Sequence, residues 1–161
     1  MMPRAQLEAF QLKLLKIQTR RLWECSPFYH EKMRAAGVRP DDIHTLQDVR
    51  KLPFMTKKDL RDGYPNKLMM CDRGDLIRYH ASSGTTGKPI IGGYTPEDIN
   101  IWAQSIARTI CAGGGTSKDV LHNAYGYGLF TGGLGLHYGG ELLGCMVIPV
   151  SGGNTERQLM L

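Results

Sequence analysis

Leu76-Ile77-Arg78-Tyr79-His80-Ala81-Ser82-Ser83-Gly84-Thr85-Thr86-Gly87-Lys88-Pro89 is the stretch on which the reading of the fold turns. Its first six residues read as a strand that delivers the chain to a loop at a sheet edge. In that loop Gly84 and Gly87 reach backbone torsions closed to other residues, so successive N–H groups can converge on one anion. Ser82, Ser83, Thr85 and Thr86 add hydroxyl donors, and Lys88 adds a mobile positive charge. Ser82 to Lys88 are therefore the candidate phosphate-binding residues. A polar hairpin connection is the competing reading; it accounts for glycine and threonine but not for eight consecutive residues suited to phosphate. A Walker-type loop, G-x-x-x-x-G-K-[ST], fails at both ends, with Ser82 at the first glycine and Pro89 at the magnesium-ligating hydroxyl. Pro89 also lacks an N–H and disfavours a helix directly after the lysine.

Downstream, Ile90-Ile91-Gly92-Gly93-Tyr94 pairs with the first strand as a hairpin around the loop. Thr95 caps the next helix, Pro96 opens it, and Glu97 and Asp98 complement its dipole. Ile99, Ala103, Ile106 and Ile110 give that helix an apolar stripe, and Gly113-Gly114-Gly115 stops it. Asp119 to Ala124 reads as a buried strand, Thr131 to Leu143 as a glycine-rich helix, and Cys145 to Val150 as a second strand. Thr155, with Gln158 three residues on, reads as the capping box of a last helix. Strand–helix–strand–helix at this spacing predicts an α/β fold with a parallel sheet.

Upstream, Leu7, Phe10, Leu14 and Ile17 recur at helical spacing and predict an amphipathic helix from about Arg4 to Trp23. Ser26 and Pro27 open a short helix that Gly37 ends; Thr45 and Thr56 each precede a helical turn, with Gly63 closing the second. The expected organisation is a helical N-terminal arm over residues 1–75 and an α/β part over 76–161, one continuous structural unit with the arm packed around the rest.

Composition separates the same two parts. Before Tyr79 lie 16 of the 20 Lys and Arg residues and 10 of the 15 acids, whereas 17 of the 20 glycines follow it. The first part is thus charged helical surface and the second a core whose backbone can approach ligands closely. The net charge of +5 does not signal nucleic-acid binding, because its charges alternate in sign without a basic–aromatic pattern. Cys25, Cys71, Cys111 and Cys145 are widely spaced, with no Cys-x-x-Cys and no paired histidines, so reduced thiols are expected and no metal site is assigned. Met1 to Arg21 mixes charges through its apolar residues, and no apolar run is of membrane-spanning length; a cytoplasmic protein without a membrane partner is the expectation. At 161 residues the chain can bury about 70% of the surface its unfolded form exposes.

Chemistry is concentrated between His122 and Gly135, after the end of a strand, where open α/β sheets place their ligands. Tyr125, Tyr127 and Phe130 alternate with glycines, so flat rings stand beside an approachable backbone. His122 and Asn123 end the strand at the same place; His122 has no nucleophile partner and reads either as pocket wall or as core. Ser151-Gly152-Gly153-Asn154 is another strand-end loop, either a nucleotide contact or simply a turn of the chain.

Ser-Ser-Gly-Thr-Thr-Gly-Lys-Pro resembles the phosphate loop of the adenylate-forming superfamily of acyl-CoA synthetases, adenylation domains and luciferases. Most members place Leu-Pro-Lys after the second glycine; here Lys88 precedes Pro89, an order that resembles the phenylacetate–CoA ligase branch. Tyr79-His80-Ala81, Gly93-Tyr94-Thr95, the run His122 to Gly135, His137-Tyr138-Gly139 and Pro149 to Gln158 resemble the same branch. The resemblance implies an enzyme of more than twice this length, of which the chain is an N-terminal piece. It implies ATP, Mg2+ and coenzyme A as co-substrates, an aryl acid such as phenylacetate as substrate, and an acyl-adenylate intermediate. Tyr125 and Phe130 then line the aryl pocket together with His122, Asn123 and Gly133, and Ser151 and Gly152 are further nucleotide contacts. The magnesium-binding acid, the ribose-binding aspartate and the lysine of a C-terminal domain have no matching positions here. No catalytic residue is therefore assigned within the chain, which by itself is expected to be inactive and, with an unfinished sheet edge, to form a homo-oligomer. Two alternatives stay open: a related enzyme that adenylates another carboxylate without CoA transfer, and a non-enzymatic nucleotide-binding or assembly fragment.

Overall fold

A computed structural model describes residues 2–64, 67–82 and 89–161. The chain divides into two compact units, Met1–Asp72 and Arg73–Leu161.

The first unit is helical. Helix α1 (Arg4–Cys25) and helix α2 (Pro27–Ala35) meet at Ser26, whose extended backbone stops α1 while its Oγ accepts the Tyr29 N–H at 3.3 Å. Pro27, which has no N–H to leave unsatisfied, takes the first position of α2. Gly37, at φ +68°, then turns the chain out of α2. Two 3-10 turns follow (Pro40–Asp42 and Leu46–Lys51), then helix α3 (Lys57–Asp62). Met33 and Ile43 are the most completely buried apolar side chains of this unit, joined by Val38. The apolar stripe expected to face inward on α1 is only partly used: Phe10, Leu14 and Ile17 remain about half exposed, and the buried residue of the helix is Thr19, whose hydroxyl donates to the Leu15 carbonyl. Helix α1 has a second row, Leu12, Leu15, Thr19 and Leu22, and that row is the less exposed one.

Threonine and aspartate three residues apart set the starts of the short elements. Asp48 accepts from the Thr45 backbone and hydroxyl and from His44, and Asp59 accepts likewise from Thr56. Lys32, reaching from α2, adds an ion pair to Asp59 at 2.8 Å while also donating to the Phe54 carbonyl. The Lys32 ammonium and then the Thr56 donors hold the Asp59 carboxyl down to about 2, and Lys51 with the Thr45 and His44 amides holds Asp48 lower still. A carboxyl depressed in the folded state stabilises it above the unfolded pKa of about 4, and that contribution disappears as pH falls through the folded value. The thermal midpoint of the chain is accordingly expected to drop between about pH 4 and pH 2. In Asp59→Asn the midpoint should start lower and fall less over that interval; an equal fall in both proteins would show that Asp59 is not part of it.

The second unit is α/β. Strand β1 (Arg78–Ala81) and strand β2 (Ile91–Tyr94) form an antiparallel hairpin with Arg78 opposite Tyr94 and Ala81 opposite Ile91. The ladder runs one step further, Ser82 N–H donating to the Ile90 carbonyl and Ile90 N–H to the Ser82 hydroxyl oxygen, each at 2.9 Å. Helix α4 (Pro96–Ala112) starts at the Thr95–Asp98 capping box and ends at Gly113. Strand β3 (Val120–His122), helix α5 (Gly132–Leu143) and strand β4 (Met146–Ile148) then form a β-α-β crossover with β3 and β4 parallel, Leu121 beside Val147. The parallel pair is not buried on both faces as its apolar composition suggests. Leu121 and Val147 pack on α5, while Val120 and Met146, one residue away and hence on the opposite face, are exposed. Helix α6 (Thr155–Met160) is capped by Asn154, whose side chain accepts the Arg157 N–H, rather than by Thr155. Gln158 turns back to donate to the Ser151 and Gly153 carbonyls, so it fastens the preceding loop instead of completing a capping box.

Glycines let α5 sit between α4 and the parallel strands. A Cβ at Gly135 would stand 2.6 Å from the Trp102 ring, one at Gly139 2.3 Å from Ile106 Cγ2, and one at Gly140 2.6 Å from Leu121 Cδ2. Each helical glycine costs about 0.5–1 kcal/mol relative to alanine, which the close approach of three layers offsets. Gly139→Val should therefore destabilise the unit by about 2–3 kcal/mol through overpacking. Combining it with Ile106→Ala should recover part of that loss in denaturant unfolding, whereas strict additivity would place the strain elsewhere.

Candidate active-site loops at the ends of the parallel strands

Beyond β3 the chain enters Asn123, which is 1% exposed. Its N–H donates to the Ile148 carbonyl and its carbonyl accepts the Ser151 N–H, extending the parallel pairing past the strand ends. Its side-chain amide organises the next segment of chain: Nδ2 donates to the Tyr127 hydroxyl at 2.7 Å and to the Gly133 carbonyl at 2.8 Å, and Oδ1 accepts the Tyr125 N–H. The loop 124–131 is thereby folded over a saturated amide.

Because the Tyr127 oxygen accepts from Asn123, its own hydrogen points to His137 Nδ1 at 3.2 Å. That leaves His137 Nε2–H to donate to Glu141 Oε1 at 3.1 Å. Burial raises the Tyr127 phenol above its ordinary pKa, against the opposing pull of the Asn123 donor, so it stays a donor at neutral pH. Asn123, Tyr127, His137 and Glu141 thus form one directed chain from the buried strand end to the surface of α5.

On the outer side of the loop, Tyr125 and Phe130 stack with centroids 5.8 Å apart and planes 18° from parallel. They are 50% and 51% exposed, so the pair presents a wet aromatic surface. Two glycines at the start of α5 make room for it: a Cβ at Gly132 would stand 2.5 Å from the Tyr125 ring, and one at Gly133 2.4 Å from the Gly126 carbonyl. The second strand-end loop lies alongside. A Cβ on Gly152 would come within 3.7 Å of the Ala124 carbonyl oxygen, and Ser151 is held at φ +70°.

The end of β1 joins this cluster directly. Ala81 N–H donates to the Leu129 carbonyl at 2.8 Å, and His80 Nδ1 meets the same oxygen at 3.0 Å. The aromatic loop therefore hangs from the strand that leads into the sequence-predicted phosphate loop. Of that loop, Ser82 closes the base of the hairpin, its hydroxyl oxygen occupied by Ile90 N–H and its hydroxyl hydrogen left to donate. Ser83, Gly84, Thr85, Thr86, Gly87 and Lys88 lie outside the described residues.

The fold thus brings Tyr125, Phe130, Ser151, Gly152 and the base of the 82–89 loop to one end of the sheet region. Asn123 and Gly133 come to the same place but beneath the loop, turned toward protein partners, and His122 lies exposed on β3 one residue before it. Sequence reasoning did not single out His80, Tyr127's bond to His137, or the Leu129 carbonyl. The signal present was alternation: Arg78 and His80 share one face of β1, an unusual place for two polar side chains unless each has a partner. Among the described residues no cluster of three His, Cys, Asp or Glu side chains is placed to hold a metal ion, and no helix is long and apolar enough to cross a membrane.

No protein-family model matches the chain. Curated relatives do. It is 53% identical over 156 residues to a phenylacetate–coenzyme A ligase of Aromatoleum evansii and, equally, to one of Escherichia coli strain K12. With that of Thermus thermophilus it shares 51% over 160 residues. These matches cover 97–99% of the chain but 36% of each relative, so the chain spans about a third of their length. Among solved structures it is similar to 2-hydroxyisobutyryl-CoA ligase in complex with 2-HIB-AMP and CoA in the thioesterification state, with TM-score 0.88 and 28% identity. The postadenylation state of that ligase gives TM-score 0.86 and 26% identity; both cover 95% of this chain and 33% of the ligase. In sequence the chain matches an N-terminal portion of the phenylacetate–coenzyme A ligases, and in backbone a third of 2-hydroxyisobutyryl-CoA ligase.

Proposed function

We propose that this chain is the phosphate-holding and acid-binding portion of an ATP-dependent ligase that joins an aryl acid of the phenylacetate kind to coenzyme A. The observation that carries the reading is the hydrogen-bonded join between β1 and the Leu129 carbonyl, which ties an exposed aromatic stack to the base of a phosphate-suited loop. The sequence and backbone similarity to CoA ligases supports it.

The chemistry is dictated by the leaving group. A carboxylate is a poor acyl donor because it would have to expel oxide. In the proposed reaction a carboxylate oxygen attacks the α-phosphorus of ATP, the bond to the α–β bridging oxygen breaks, and pyrophosphate departs with its electron pair. The thiolate sulfur of coenzyme A then attacks the acyl carbon and AMP leaves. As negative charge shifts onto pyrophosphate, the N–H groups, hydroxyls and lysine of 82–88 supply preorganised electrostatic stabilisation. Tyr125 and Phe130 take the aryl ring, with Asn123 and Gly133 holding their loop from beneath and His122 at its edge. In this reading Ser151 and Gly152, on the neighbouring strand-end loop, are further contacts to the nucleotide. Magnesium would accompany the ATP phosphates and offset part of their charge.

The test is a chimera in which this chain replaces the matched third of the E. coli relative, assayed for acid-dependent ATP–pyrophosphate exchange. Exchange with phenylacetate-type acids, and thioester only when CoA is present, is expected. Exchange that ignores the aryl group, or none from a folded chimera, overturns the proposal. Exchange with no thioester in the presence of CoA would favour an adenylating enzyme of another kind. The 161-residue chain alone should give background thioester in a coupled assay.

A further inference from the structure

His80 is 3% exposed and stands edge-on to two rings, Tyr94 at 5.3 Å and Trp102 at 5.2 Å, both nearly perpendicular to it. Its Nδ1 faces the Leu129 carbonyl oxygen, so Nδ1 carries the hydrogen and the neutral ring presents a bare Nε2. That Nε2 is buried and has no hydrogen-bond partner among the described residues. A stranded buried acceptor is a cost that phenylalanine would avoid while filling the same space between the same rings. Packing therefore does not account for a histidine here; its Nδ1–H does.

The bond lies at a junction. The Leu129 carbonyl accepts twice from β1, from Ala81 N–H and from His80, and its next neighbour along the chain is Phe130. Two residues earlier on the same strand face, Arg78 Nη2 donates to the Tyr138 hydroxyl at 2.8 Å, with the guanidinium 4.9 Å over that ring. Strand β1 is thus fastened at one point to α5 and at a second to the loop that precedes α5. From its other end the same loop is tethered by Asn123. Among the described residues, only the His80 tether connects it to the segment entering the phosphate loop through a side chain that a single substitution can remove.

We infer that His80 is a positioning residue: its Nδ1–H, together with the Ala81 N–H, fixes the Leu129 carbonyl and so holds the aromatic acid pocket in register with the phosphate loop. This rests on the ligase reading for what the two loops bind. Adenylation needs a carboxylate oxygen about 3–3.5 Å from the α-phosphorus, and a misplacement of about 1 Å can cost about 10²-fold. A loop free to swing at Leu129 loses that register without losing affinity for ATP.

Two arms test it, with His80→Phe (ring kept, donor lost), His80→Asn (donor kept at the δ position) and His80→Gln (donor moved one atom outward). In the 161-residue chain, amide hydrogen exchange at Ala81 and at 125–131 should be about 10-fold faster in His80→Phe and His80→Gln, with α4 and α5 unchanged, and near wild type in His80→Asn. In the E. coli chimera, His80→Phe should lower kcat for pyrophosphate exchange by about 10- to 100-fold and move the KM for ATP less than about 2-fold, with His80→Asn restoring most of kcat. If Phe and Asn variants behave alike in both arms, the donor is irrelevant and the inference is wrong. A folded parent chimera inactive with every acid refutes the ligase reading, and the exchange arm then decides the tether by itself.

Discussion

Replacing Lys88 with alanine should slow pyrophosphate exchange by the chimeric ligase about 100-fold, the loss typical when one preorganised electrostatic contact to developing charge is removed. The effect should appear in kcat and kcat/KM together, because the β- and γ-phosphates gain charge only as the bond to the α-phosphorus breaks. A lysine that merely bound ATP would instead raise the KM for ATP and leave kcat alone. Gly87→Val should be at least as damaging for a different reason: a branched side chain keeps the loop backbone from approaching the phosphates. Unchanged exchange in Lys88→Ala would remove the lysine from the reaction. Because the β1–β2 hairpin is closed at Ser82 and Ile90, neither substitution is expected to alter the thermal unfolding of the chain. A lowered midpoint would mean that the substitution acts through stability and not through the phosphates.

Local chemistry made much of the second unit legible. Thr95, Pro96 and Asp98 start α4 as their hydrogen-bonding capacities dictate, Gly113 stops it, and the β3–α5–β4 crossover is parallel as strand–helix–strand spacing predicts. Ser26 and Pro27 mark the α1–α2 corner for the same reasons. What the sequence could not convey was which of two available rows a helix would bury. On α1 the Phe10–Leu14–Ile17 row and the Leu12–Leu15–Leu22 row are both apolar, and only the packing of α2 and the turns against one of them decides. The parallel strands were misleading in a related way: Val120-Leu121 and Met146-Val147 are apolar on both faces, but within this chain one face alone has a helix on it. Asn154 displaced Thr155 as a cap because the left-handed turn at 153–154 brings its carboxamide, not the threonine hydroxyl, over the Arg157 N–H.

The candidate site was legible by residue type and not by connection. Glycines and aromatic residues after a strand end point to a pocket, but nothing in their spacing reveals that Asn123 spends its whole amide on the loop, or that Leu129 is reached from β1. Such bonds link residues 10 and 49 positions apart, and their partners are backbone carbonyls, which every residue carries. Side-chain chemistry can be read from a sequence, whereas the acceptor it finds is decided by the fold.

Phe130→Ala should raise the KM for phenylacetate about 10-fold in the chimera and leave the KM for ATP within about 2-fold. Full burial of a phenyl group is worth about 1.5–3 kcal/mol, and favourable ring geometry adds about 0.5–1.5 kcal/mol. Phe130 is half exposed and presents only part of its face, so about 1.4 kcal/mol, a factor of 10, is the share expected from this ring. Tyr125 lies parallel to it and, if left alone, slides over part of the vacated surface, which holds the loss below the full transfer value. The loss should also scale with the acid: large for phenylacetate, small for a short aliphatic acid that never covered the ring. A substitution acting through the fold would not discriminate in that way. Phe130 sits next to Leu129, whose carbonyl is tied to β1, so a collapsed loop would raise both constants and lower kcat with every acid. Equal effects on phenylacetate and on an aliphatic acid would therefore move Phe130 from the pocket to the framework, and would leave the aryl specificity of the site to residues elsewhere.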